Sequence, residues 1–328
     1  MIVKNEAYFL ARCLTAVKDY VDEIILVDTG STDETKAIAA QFTDKIYDFA
    51  WIDDFSAARN YALDRATRDW ILVLDADELV AEQDLQAIRE LIVDTSKDAF
   101  FFIQYNYNDD PLTKDWQPVR QASYYSGGYA GYRCNPIARL FRANSGIRYH
   151  GRVHEVIDPS LEALSFAILD TPIHHHMDSD PTKPKRDRQI NYLRLLEREL
   201  EIHPDGRLYA SAASVHMHHA QDYAKANLYF ERAVELGYNV NQNRESQAEA
   251  NYRLGQFDES SAIYRVLYNA GYITLSLCIN LANLAVKGRD FTGAVELLKE
   301  ALPLTEPGGD TAMRIRHNIK HLESQINS

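Results

Sequence analysis

Cysteine is scarce in this chain: 328 residues contain three, Cys13, Cys134 and Cys278. They are scattered, odd in number and lack the spacing of a metal or redox motif. That excludes a disulfide framework and points to reduced thiols of a cytoplasmic protein. Long apolar runs are missing as well. The run at 99–103 is only strand-length, against the roughly 20 residues a bilayer demands, so no membrane span is expected. The opening Met1-Ile2-Val3-Lys4-Asn5-Glu6 lacks the regions of a signal peptide. Basic excess is absent too: 35 Lys and Arg face 48 Asp and Glu, a formal net charge of −13. Nucleic-acid backbone binding needs a basic footprint and is not expected. An acidic chain that binds an anionic nucleotide must instead find its cations locally, from a metal ion or a few placed Arg and Lys.

What is present falls into two halves with different periodicities. Up to about residue 180, short apolar runs alternate with amphipathic segments, the pattern of a largely parallel α/β sheet. Strands are expected at 24–27, 45–49, 70–74, 99–107 and from 138, with helices near 5–18, 31–42, 56–66 and 81–91. From Arg188 onward the strand signals stop and a repeat begins. Tyr223, Phe257 and Phe291 are spaced by 34 residues, as are Phe230, Tyr264 and Leu298, and Ala233, Leu267 and Ala301. The small residues Ala226, Ser260 and Ala294 keep the same period. Parallel registers at 34 match the helix-turn-helix unit of tetratricopeptide repeats. The expected boundary lies at 182/183, with a linker over 183–187 and a connecting helix over 188–202.

Two acidic positions follow apolar strands, where open α/β sheets bind ligands. Asp28 ends the 24–27 run and leads into Thr29-Gly30-Ser31-Thr32-Asp33-Glu34. Gly30 permits a tight turn, and Ser31 with Glu34 has capping-box spacing. Asp28 is placed to accept hydrogen bonds from a base or ribose; the plain alternative is a solvated turn residue. Asp75-Ala76-Asp77-Glu78 follows the 70–74 run. Residues two apart in extended chain face one way, so Asp75 and Asp77 can share a pocket. Paired carboxylates resist joint ionisation unless a cation lies between them, and hard oxygen ligands suit Mg²⁺ or Mn²⁺ bridged to substrate phosphates. Between these segments lies Phe55-Ser56-Ala57-Ala58-Arg59-Asn60, with Ser56 an expected cap. Arg59 is either a phosphate or base contact or a surface side chain.

Met1-Ile2-Val3-Lys4-Asn5-Glu6, Val27-Asp28-Thr29-Gly30-Ser31-Thr32-Asp33, Phe55 to Asn60 and Leu74-Asp75-Ala76-Asp77-Glu78 occur in an order that resembles family 2 glycosyltransferases. The whole chain is similar to the branch with a tetratricopeptide tail, which includes peptide S-glycosyltransferases of the sublancin type, and more distantly to glucosyltransferases of lipopolysaccharide core assembly. The resemblance implies a GT-A fold, a UDP-sugar donor, a divalent ion (Mn²⁺ or Mg²⁺) and inversion at the anomeric carbon. By motif, Ile2, Val3 and Asp28 would hold the nucleobase with Arg59 nearby. Asp75 and Ala76 would lie on the nucleotide sugar, and Asp77 on the metal. That family's first strand usually starts several residues earlier; here it is either short or the natural start lies upstream.

His154-Glu155 resembles a pair found in the same branch. Inverting transfer needs a base for the acceptor's proton, and Glu155 is the candidate, with Asp109 and Asp110 as rivals; the family's usual Glu-Asp pair is not recognisable. His154 is either part of that chemistry or a structural histidine. His174, His175 and His176 stand where GT-A enzymes often place a metal-binding histidine, with His175 the candidate ligand; a surface cluster is the alternative. His216, His218 and His219 are expected to be packing or surface residues. Tyr105, Tyr107, Trp116, Tyr124, Tyr125, Tyr129 and Tyr132 read as loop aromatics that line an acceptor side, form a lid or simply anchor loops.

The expected protein is therefore a soluble transferase with a peptide, protein or glycan acceptor, whose stacked repeats hold that acceptor or form a homodimer. A degenerate scaffold and a sugar nucleotidyltransferase are the competing classes. The intact Asp28, Arg59, Asp75 and Asp77 set argues against the first, and the lack of a Gly-rich basic phosphate loop against the second.

Overall fold

The computed structural model describes all residues except 112, 114, 158–159, 162–163, 177–184, 307 and 327–328. Two compact units result, Met1–Pro184 and Lys185–Ser328. The expected boundary at 182/183 and the first linker residues lie outside the described residues. Lys185 to Asp187, expected in the linker, belong instead to a helix, α5 (Lys185–Ile202).

The first unit opens as β1 (Ile2–Val3), α1 (Ala7–Val17), β2 (Leu26–Asp28), α2 (Thr35–Ala39) and β3 (Ile46–Asp48). These strands form a parallel sheet in the order β1-β2-β3, with Val3 opposite Asp28 and Asp28 opposite Asp48. Helix α1 buries Phe9, Leu10, Cys13, Leu14 and Val17, a stripe at helical spacing. Two cap expectations fail. Ser31 does not cap α2, which starts after Glu34 with no side-chain cap; the Ser31 hydroxyl accepts from Asn5 N instead. Helix α3 (Phe55–Leu63) is capped by Asp54, which accepts from Ala57 N, while Ser56 Oγ donates to Gly151 O.

The rest of the unit is a six-stranded mixed sheet, which corrects the expectation of a largely parallel one. After β4 (Trp70–Leu72), β5 (Glu78–Leu79) and α4 (Glu82–Leu91) come β6 (Ala99–Asn108), β7 (Gln117–Pro118), β8 (Gly131–Arg142) and β9 (Phe166–His175). The order is β4-β8-β6-β9-β5 with β7 beside β8, and only β6 with β9 is parallel. The cause is the long antiparallel β6–β8 pair, which inserts β8 next to β4. Strand β4 also ends at Leu72, so Asp75 stands in the following turn rather than at the strand's last residue.

Among the described residues the second unit has helices and no strand: α5, then α6 (Gly206–Val215), α7 (Tyr223–Glu235), α8 (Val240–Arg253), α9 (Phe257–Asn269), α10 (Leu275–Lys287), α11 (Phe291–Ala301) and α12 (Asp310–Ile326). Helices α7, α9 and α11 begin at Tyr223, Phe257 and Phe291, the leading aromatics of the 34-residue period. Ala226, Ser260 and Ala294 are fully buried where helices cross, and Phe230, Tyr264, Leu298, Ala233, Leu267 and Ala301 are buried behind them. Asp222 and Asp290 cap α7 and α11 from equivalent positions. Each repeat thus converts one sequence period into one packed helix pair. His216 is buried in a π-helical turn with Nε2 on Glu197 Oε1 (3.1 Å), and His218 is exposed. All three cysteines are free thiols. No described helix is long and apolar enough to cross a membrane.

Candidate active site

The first two motifs form one assembly. Asn5, at φ +55°, turns the chain after β1 so that Asn5 N donates to Ser31 Oγ (2.9 Å) and Asn5 Oδ1 accepts from Thr32 N (2.7 Å). Glu6 N donates to Thr35 Oγ1 (2.7 Å) and Ala7 N to Asp33 Oδ2 (3.3 Å). Asp28 closes the facing turn: its Oδ1 accepts from Gly30 N and Ser31 N, both at 2.9 Å, and Gly30 takes φ +105°, which glycine alone adopts readily. Asp28 is only 2% exposed, and its Oδ2 is buried with no partner among the described residues. A buried carboxylate oxygen so placed is a costly arrangement unless a ligand donor meets it. Val3 is buried beside it, and Ile2 is half-buried.

The third motif seizes the segment carrying His154 and Glu155. Phe55 N donates to Arg152 O (2.9 Å), and Asn60 exchanges two bonds with the Tyr149 backbone, both at 2.9 Å. Arg59 is not a surface residue: it is 9% exposed, its Nε donates to Glu155 Oε1 (2.6 Å) and its Nη2 to Asp75 Oδ1 (3.0 Å). Its guanidinium lies 5.4 Å from the Tyr149 ring centre. Burial opposes its charge, but Asp75 and Glu155 outweigh that and hold its pKa well above the ordinary value. His154 sits at φ +54°, a left-handed conformation uncommon outside glycine. Asp75, the centre of the network, also accepts from Arg139 Nη2 at Oδ2 (2.7 Å). Burial alone would raise its pKa; Arg59 and Arg139 drive it far below the carboxylate range. Ala76 is buried behind the turn.

The sheet brings the fourth motif to the histidines. Strand β5 pairs with β9 so that Glu78 opposes His175 and Leu79 opposes His174. Asp77 Oδ2 and His175 Nε2 are 3.3 Å apart, both partly exposed. His175 Nδ1 contacts Asn106 Oδ1 (2.8 Å), while Asn106 Nδ2 donates elsewhere, so Nδ1 carries the hydrogen. Burial favours the neutral ring, but Asp77 outweighs that and holds the His175 pKa above its ordinary value, so the Nε2 side meets the carboxylate through a shared proton. That approach is favourable only with a proton or a cation between the two, and fixing the far nitrogen by hydrogen bond is how metal-binding histidines are oriented. The donor set fits Mg²⁺ or Mn²⁺ completed by phosphate oxygens. Among the described residues no cluster of three or more His, Cys, Asp or Glu is built to hold a metal by itself.

His174 and His176 do something else. His174 Nδ1 bonds Tyr107 Oη (2.8 Å) and stacks on Tyr125; burial, with His176 and Arg12 nearby, holds its pKa down to about 4. His176 Nε2 bonds Tyr125 O (2.8 Å) and stacks on Tyr107. Gly127, at φ +61°, lies so close that a Cβ there would meet the His176 ring at 2.9 Å. The loop also reaches α1, where Arg12 Nε donates to Tyr124 Oη (3.1 Å). Of the expected aromatics, Tyr105 and Tyr132 stack on each other, and Trp116 Nε1 donates to Asn108 O (3.2 Å). Asp109 Oδ1 caps Ala130 N (2.7 Å), and Asp110 is exposed. Sequence reading missed Arg139, Asn106, Gln104 and Tyr149, which come from β6, β8 and the segment after it.

Residues 1–149 match the sequence pattern of the family described as Glycosyl transferase family 2. A TPR repeat-containing protein of Synechococcus elongatus is 43% identical over 164 residues, which are 50% of this chain and 36% of that one. The SPbeta prophage-derived glycosyltransferase SunS of Bacillus subtilis is 31% identical over 211 residues, 62% of this chain and 45% of that protein. The chain thus spans less than half the length of these curated relatives. Among solved structures, S. aureus TarS 1–349 superposes with a TM-score of 0.43 at 14% identity, covering 82% of this chain and 90% of that one.

Proposed function

We propose that this protein, whose residues 1–149 match the glycosyl transferase family 2 pattern, transfers a sugar from a UDP-sugar to a peptide, protein or glycan acceptor, with inversion at the anomeric carbon. The single observation that carries this reading is the Asp77–His175 pair at 3.3 Å, with its far side fixed by Asn106. Asp77 and His175 would hold Mn²⁺ or Mg²⁺. The ion supplies neutralisation of the charge that collects on the leaving diphosphate.

The remaining residues divide the work. The orphaned Asp28 Oδ2, beside Val3 and Ile2, is placed to accept a donor from the nucleobase. Asp75 and Ala76 lie against the ribose side. Arg59 links that side to Glu155, fixing Oε1 and leaving Oε2 to meet the acceptor's proton. As an acceptor hydroxyl or thiol attacks the anomeric carbon, its proton passes to Glu155 and the bond to the diphosphate oxygen breaks with both electrons leaving on UDP. His154 holds the backbone that presents Glu155. The aromatic loop 119–130 lines the acceptor side, and the helical repeats hold the acceptor or a second copy of the chain.

The test is a screen of UDP-glucose, UDP-galactose and UDP-N-acetylhexosamines for UDP release with Mn²⁺. We expect release from at least one donor, abolished by chelation. Pyrophosphate release from a nucleoside triphosphate, with no UDP release, would make the protein a nucleotidyltransferase. No turnover and no UDP binding would make it a scaffold.

A further inference from the structure

Whatever Asp77 binds, the backbone turn 75–78 decides where it points. The turn closes on itself: Glu78 N donates to Asp75 O (3.1 Å), and Asp75 N donates to Glu78 Oε2 (2.9 Å). Arg139 on β8 then grips both outer carboxylates with one nitrogen, Nη2 donating to Asp75 Oδ2 (2.7 Å) and to Glu78 Oε1 (2.6 Å). Gln104 Nε2 on β6 holds the same Glu78 oxygen (2.5 Å). Val73 N donates to Arg139 O (2.7 Å), so the gripping residue is also tied to the chain that feeds the turn.

This arrangement is a poor way to gain stability. Glu78 is fully buried and Arg139 is 4% exposed. Desolvating such a pair offsets its attraction, so an apolar pair of similar size holds a fold as well or better. Arg139 Nε is buried with no partner among the described residues, a further cost. What a bridged ion pair does supply is one geometry and no other. Here that geometry faces the carboxylates of Asp75 and Glu78 toward β8 and leaves Asp77, between them, toward His175 on β9.

We propose that Arg139 is the positioning residue of this site: by gripping Asp75 and Glu78 it aims Asp77 at His175 and so sets the affinity for the divalent ion and its nucleotide. The proposal rests on the reading that Asp77 and His175 hold the ion. Arg139 acts through Asp77 and is not itself a catalytic residue.

The experiment uses the full chain and Mn²⁺ as probe, reading free Mn²⁺ by electron paramagnetic resonance with UDP present. Arg139→Gln alone strands the buried Glu78 charge, so the pair is removed together as Glu78→Gln with Arg139→Met. We expect this variant to melt within about 5 °C of the parent while binding Mn²⁺ at least ~10-fold more weakly, the scale of loss when a metal ligand's support is removed. Arg139→Lys should lose several-fold, since an ammonium is a point charge and not a planar fork. A folded double variant with Mn²⁺ affinity within about twofold of the parent overturns the positioning role. A double variant that does not fold makes the pair structural and overturns it equally. A parent that takes up no Mn²⁺ with UDP present fails the proposed function instead, a separate result.

Discussion

The two units are held by opposite means. The first buries charge: Asp28, Arg59, Glu78 and Arg139 are all less than a tenth exposed, joined by Gln104, Asn106, His174 and His176. In the second, the buried positions are mostly Ala and Leu, and among the described residues its buried acidic or basic side chains are Glu199 and His216. Apolar packing gains free energy wherever it is made, whereas buried charge gains little net stability and specifies geometry. A unit that spends its interior on charge is organised for a site. One that spends it on periodic small and apolar residues is organised for a surface.

Four substitutions test that contrast, beginning with the largest effect. Asp77→Ala should reduce Mn²⁺-dependent UDP release at least ~100-fold, because a metal supplies several kcal/mol of charge stabilisation, with the melting temperature nearly unchanged. Full activity at saturating donor would remove the metal role. Glu155→Gln should lower kcat by about 100-fold or more while UDP affinity, measured by calorimetry, changes little; equal loss in an Asp109→Asn variant would move the base there. Tyr264→Ala empties a fully buried site whose hydroxyl accepts from Asn280 Nδ2 (2.9 Å). It should cost the helical unit about 3 kcal/mol in denaturant unfolding, with acceptor-free donor hydrolysis at low temperature intact. Loss of hydrolysis in parallel would show that the two units do not divide the labour.

The smallest effect is a pH dependence. Glu23 accepts from Lys45 Nζ and from Thr67 N (2.6 Å). Burial would raise its pKa, but these donors hold it down to about 2. Since the folded value lies below the ordinary one, the contribution is complete above the usual carboxylate range and fades as pH falls toward 2. Glu23→Gln should therefore cost about 1 to 2 kcal/mol at neutral pH and progressively less in acid. A constant difference between pH 7 and pH 3 would contradict the sign.

Legibility in the sequence followed the same division. The helical unit was readable because its contacts repeat locally: Tyr223, Phe257 and Phe291 mark three helix starts, and the columns behind them are buried as spaced. The parallel β1-β2-β3 edge was readable because each strand is followed at once by its own turn. Arg139 was not, since it meets Glu78 only through the β6–β8 register, 61 residues away in sequence. Asn106 was missed for the same reason. Arg59 stands out in its motif, but its burial between Asp75 and Glu155 is a long-range fact. The cap at Ser31 was misread because a local spacing rule lost to a bond from Asn5, 26 residues distant.

Anomalous diffraction from crystals soaked with UDP and Mn²⁺ tests the account most directly. It predicts a manganese peak at about 2.1 Å, the distance hard octahedral ions keep from their ligands, from Asp77 Oδ2 and His175 Nε2, with uridine beside Asp28. A peak elsewhere, or uridine bound with no metal between these two side chains, would contradict it.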